Sequence, residues 1–180
     1  MDNSNEERNY EMLAESPLMW LEQAELLKMS AEVILVELLK LTNVSQTFPG
    51  VREKKLGYVQ SFMLLMGLSF ENLIKGTLTA LTPTSSIEAR LKEWKSYNKG
   101  HGIAGLAKTI TSLNPDEENL LIRLEIYIVW AGRYSIASTV NQYAKSLQPT
   151  NLHTFKFTDP TLCDSLFSRL SFILKAEAPK

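Results

Sequence analysis

A single cysteine in 180 residues rules out an internal disulfide. Cys163 has Leu162 and Leu166 as neighbours, which marks it as a buried thiol of a reducing compartment. Only two histidines are present, His101 and His153, far apart in sequence and without a Cys, His or carboxylate at metal-ligand spacing, so no zinc-type motif exists. A Gly-rich phosphate loop, a nucleophile elbow and an HExxH helix are all missing, which removes the commonest enzyme classes. No cofactor and no metal are expected. Apolar runs stay well short of the roughly 20 residues that a membrane helix needs. The opening "MDNSNEERNYEMLAES" lacks the cationic start and apolar run of a signal peptide, so a cytoplasmic location is expected. Neither sign of charge dominates: 19 Lys and Arg against 20 Asp and Glu leave a net charge of -1. That balance argues against an extended DNA-binding surface and against attraction to an anionic membrane.

What is present is helical periodicity, with no convincing strand pairs. The length and the 44% apolar content suit one soluble domain. We read 1–15 as a flexible acidic segment and 16–177 as a single all-α domain, a bundle of about five to seven helices. Trp20, Ala24, Leu27, Ala31, Ile34, Leu38 and Leu41 recur in steps of four and three along a first helix that starts at Pro17 behind Ser16. A second helix, from about Glu53 to Leu81, is apolar nearly all round, which predicts a central place. "SIEARLKEWKSY" and "HGIAGLAKTITSL" give two shorter helices. "NPDEENLLIRLEIYIVWAG" opens on an Asn114 cap, with Pro115 and three acidic residues in the first turn. Further helices are expected from Ser135 to Leu147 and from Asp159 to Lys175.

The informative residues are polar ones set among apolar neighbours. Glu71 and Lys75 lie one turn apart in "FENLIKG", on the stripe of Leu64 and Leu68, which reads either as an i,i+4 ion pair or as part of a site. His101 stands at a helix start, where it caps backbone donors or serves a ligand. Arg133, beside Tyr134 in "VWAGRYS", is either a helix-terminal cation or a buried one. A buried arginine needs a carboxylate, and Glu71 is the natural candidate.

In this order, "SFMLLMGLSFENLIKG", "GHGIAGLAKTI" and "LEIYIVWAGRYS" resemble the HEPN domain, a small helical module, over about residues 58–138. The resemblance matches the family's glutamate and lysine one turn apart with Glu71 and Lys75, and its Gly-His pair with Gly100 and His101. The Arg-Tyr-Pro of some branches is matched by Arg133 and Tyr134, with Ser135 in place of the proline. It implies a ligand site of Glu71, Lys75, His101, Arg133 and Tyr134, for a nucleotide or RNA. RNase members carry an arginine and a histidine with four to six residues between them, since cleavage through the 2'-hydroxyl needs a proton acceptor beside a cation. Ser138, Thr139 and Val140 occupy those places after Arg133, so a non-catalytic module is implied.

Three readings follow. The first is a binding or interaction module that dimerises through helices and takes a nucleotide, an RNA or a partner protein in a toxin-antitoxin or phage-defence setting. The second is a degenerate metal-independent RNase using His101, Glu71 and Arg133. The third is a structural helical subunit. A homodimer is expected from two apolar stripes, Ile122, Ile126 and Val129 on one helix and the seam from Trp20 to Leu41 on another.

Overall fold

In a computed structural model the chain is all-helical. The described residues are 6, 12–45, 48–82, 87–97, 100–133, 137, 139–146 and 155–179. The helices are α1 (Pro17–Lys40), α2 (Val51–Leu81), α3 (Ile87–Ser96), α4 (Ile103–Ile110), α5 (Pro115–Ile126), α6 (Val140–Ser146) and α7 (Asp159–Glu177). A turn of π-helix, Tyr127–Ala131, extends α5 without a break. No strand occurs among the described residues. The expected helix from Ser135 starts only at Val140, and 134–136, 138 and 147–154 fall outside the described residues.

The bundle is organised by an antiparallel hairpin of α1 and α2. The seam of α1 faces α2, with Ala24, Ala31 and Leu38 buried and Trp20 and Ile34 packed against the core. Small residues let the two backbones approach, and Ser69 of α2 donates its hydroxyl to the Ala24 carbonyl at 2.7 Å. The seam expected to serve a dimer is therefore used inside the molecule. The second stripe goes the same way, because Ile122, Ile126 and Val129 pack half-buried against the core.

The central place predicted for the second helix is where α2 stands, with α5 packed against it. Phe62, Met63, Met66, Phe70, Leu73 and Ile74 of α2 meet Leu120, Leu121 and Leu124 of α5 and Leu166, Leu170 and Leu174 of α7, all buried. Start signals explain α5 well: Asn114 accepts from the Asp116 and Glu117 amides, and the Glu117 carboxylate returns to the Asn114 amide at 3.0 Å. Ser16 stands at the N-cap of α1 ahead of Pro17, but its side chain makes no cap hydrogen bond. Cys163 is buried as expected, and burial, with Asp159 and Asp164 nearby, pushes its thiol well above the ordinary range.

Candidate functional site

Glu71 occupies the middle of α2, where the neighbouring turns are core. Its carboxylate is buried and holds two partners. Lys75, one turn on, reaches Oε1, as the i,i+4 spacing allows. His101, on the turn before α4, places Nδ1 3.0 Å from Oε2. Lys75 also lies over the Trp94 ring, 5.5 Å from its centroid, and Trp94 packs edge-on against Trp20. One helix and a turn thus bring together three of the residues expected in the site, Glu71, Lys75 and His101.

The electrostatics keep the carboxylate charged. Burial is the largest influence and pushes Glu71 up. The hydrogen bond from His101, together with the charge and hydrogen bond of Lys75, outweighs it and holds the carboxyl below its ordinary value. An ionised Glu71 only accepts, so Nδ1 of His101 must carry the hydrogen. In the neutral ring Nε2 is then the proton acceptor. The His101 side chain is 36% exposed, and Nε2 takes no hydrogen-bond partner among the described residues. This carboxylate-imidazole arrangement suits either a proton acceptor or an oriented hydrogen-bonding group facing a ligand.

His101 does not cap α4. The N-cap position is Gly102, and the Ala104 amide donates instead to Glu125 Oε1 of α5 at 2.8 Å. That carboxylate answers the positive end of the α4 dipole. Among the described residues no group of three His, Cys, Asp or Glu is placed to hold a metal ion.

Arg133 stands apart from this cluster. It is exposed, and its Nη1 donates to the Ile128 carbonyl at 3.5 Å. The pair expected between Arg133 and Glu71 does not form, because Glu71 is engaged by Lys75 and His101. The reason is the π turn. It delivers Gly132 against Leu64, where an added Cβ would sit 2.8 Å from the Leu64 Cβ, and Arg133 leaves the bundle there. Leu64 precedes Glu71 by seven residues of α2, about 10 Å along the axis. Tyr134, also expected in the site, lies outside the described residues, as does His153.

The buried arginine is a different one. Arg123 of α5 makes a two-pronged contact with Asp159 at the start of α7, Nη1 to Oδ2 at 2.7 Å and Nη2 to Oδ1 at 2.6 Å, with both side chains 3% exposed. The Lys156 amide adds a third donor to Asp159 at 2.8 Å. Beside this pair, burial pushes the Tyr127 phenol up to about 12, Arg123 pulling against it. The sequence carried a signal for Arg123, a charge within the stripe of Leu120, Leu124 and Tyr127. Nothing local named its partner 36 residues away.

No family model matches the chain, and no curated protein or solved structure matches it either.

Proposed function

We propose that this chain is a non-catalytic, HEPN-like binding and interaction module that presents His101 to a nucleotide or RNA, with Glu71 and Lys75 fixing the ring from behind. The setting implied by the resemblance is toxin-antitoxin or phage defence. One observation carries the reading: a buried, charged carboxylate is spent on orienting an imidazole that is partly open to solvent with Nε2 unengaged. A purely structural pair would gain nothing from that opening. The same dyad favours the RNase as the second reading, since it leaves Nε2 as a base. Arg133 is not beside it to stabilise phosphate charge, which ranks cleavage second.

Thermal denaturation with nucleotides and short RNAs tests the proposal. A ligand present at about 100 times its Kd is expected to raise the midpoint by roughly 5–11 °C. His101→Ala removes the shift, and the RNA is recovered intact. Cleavage that disappears in His101→Ala establishes the second reading. No shift with any nucleotide or RNA overturns both.

Self-association belongs to the same proposal, through a face the sequence pattern had not singled out. Glu22, Leu26, Met29, Val33, Val36 and Lys40 form one outward stripe of α1, with Val33 66% exposed. Its spacing reads the same in both directions. An antiparallel two-fold pairing centred on position 31 sets Leu26 against Val36 of the partner subunit and Met29 against Val33 of the partner subunit. The same register sets Glu22 against Lys40 of the partner subunit, opposite charges closing both ends of the apolar strip. A dimer is expected by sedimentation at tens of micromolar, and Val33→Glu is expected to give a monomer of unchanged helix content. A monomeric parent chain at that concentration, or a dimer that survives Val33→Glu, rejects this face.

A further inference from the structure

Arg90 on α3 is 3% exposed and has no carboxylate partner. Its guanidinium donates to the Thr79 hydroxyl at 3.3 Å and to the Thr82 carbonyl at 3.1 Å, and its Nε is buried with no acceptor. The C-terminal end of α2, to which Thr82 belongs, supplies roughly half a negative charge. Compensation is therefore partial. Every other buried charged side chain among the described residues, Glu71, Glu117, Arg123 and Asp159, has an oppositely charged partner. A buried cation held without one is costly, and the cost falls when an anion arrives.

Space for that anion adjoins it. Arg90 lines a cavity of about 330 Å³ shared with Thr79, Ala80, Pro17, Glu15 and Glu177. That volume falls at the small end of the range for ligand sites. Both glutamates are exposed, whereas Arg90 is not. The site thus has a desolvated cation within and two solvated carboxylates around it. A simple anion gains from Arg90 and loses to the glutamates. A ligand with a carboxylate at one end and an ammonium at the other gains from both.

We propose that this cavity binds a small amino-carboxylate of the size of a free amino acid, its carboxylate on Arg90 and its ammonium toward Glu15 and Glu177. A guanidinium offers a planar fork that matches a carboxylate, and Nε is a donor still to be used. Thr79 and Glu71 are eight residues apart on α2, about 12 Å, so this site is separate from the His101 cluster. The two can fail independently.

Calorimetric titration of the full chain with the common amino acids, and with acetate and methylammonium as fragments, tests the inference. At least one amino acid is expected to bind saturably, and each fragment roughly tenfold more weakly or worse. Arg90→Met abolishes binding. Should that variant not fold, the exposed pair Glu15→Gln with Glu177→Gln decides: amino-acid affinity falls while acetate affinity holds or rises. No saturable binding of any amino acid overturns the proposal, as does binding that persists in Arg90→Met or is unchanged in the double glutamine variant.

Discussion

Asp159→Ala is expected to destabilise the protein by roughly 3–5 kcal/mol, a fall in melting midpoint of about 6–20 °C for a chain of this size. The change removes little apolar surface. Its cost is the Arg123 guanidinium left buried at 3% exposure, with two charge-assisted hydrogen bonds lost at once. The Lys156 amide loses its acceptor as well, so the entry into α7 loosens with the pair. Arg123→Ala should cost a similar amount, and the double variant much less than the sum, because either single change already strands the other charge. A third variant separates attraction from solvation. Arg123→Met with Asp159→Leu fills the same space without charge and is expected to lie near the parent in stability. Additive single losses in chemical denaturation, or losses below about 0.5 kcal/mol as at a surface site, would show that the contact is not buried in solution.

That pair also marks how far the sequence could be read. The helices were legible because their signals are local: the Asn114 cap, the prolines at helix starts and the apolar spacing of α2 and α5 all act within a turn or two. Glu71 with Lys75 was legible for the same reason, being one turn apart. What failed was pairing at long range. Glu71 is the natural partner of Arg133 only if that arginine is buried. Trp130 is indeed buried, but the π turn ends one residue later at Ala131, and Arg133 beyond it is exposed. A π turn has no marker in the residue pattern, since it differs from α-helix by one inserted position. His101 stands before a helix start as expected, and of its two readings the cap is not realised, because the competing acceptor, Glu125, comes from another helix. The outward stripe of α1 is masked for a different reason: Leu26, Met29, Val33 and Val36 repeat with the same steps of three and four as the seam from Trp20 to Leu41, which by itself accounts for a helix.

Two glycine substitutions, identical in chemistry, are expected to move stability in opposite directions. Gly57 and Gly76 both lie inside α2, where glycine costs roughly 0.5–1 kcal/mol relative to alanine through backbone entropy. At Gly57 an added methyl meets nothing within 4 Å, so Gly57→Ala should recover that amount and raise the midpoint by about 1–4 °C. At Gly76 the same methyl would sit 2.6 Å from the Trp20 Cβ, 3.0 Å from the Leu174 Cδ1 and 3.2 Å from the Pro17 carbonyl oxygen. Leu174 can turn aside. Trp20 cannot, because its Nε1 donates to the Ala14 carbonyl at 2.9 Å, its ring packs edge-on against Trp94, and its Cβ is fixed to the α1 backbone. Relief therefore requires α1 to move away from α2 at their crossing, an overpacking cost of roughly 1–3 kcal/mol that exceeds the entropic gain. The net expectation for Gly76→Ala is a loss on the order of 1–2 kcal/mol, a fall of about 2–8 °C. Because Trp94 also carries Lys75, the displaced α1 should weaken the support of Glu71 and His101, and any ligand shift that depends on His101 should shrink in Gly76→Ala and not in Gly57→Ala. Equal midpoints for the two variants in parallel melts would mean that α1 and α2 do not cross as closely as this packing requires.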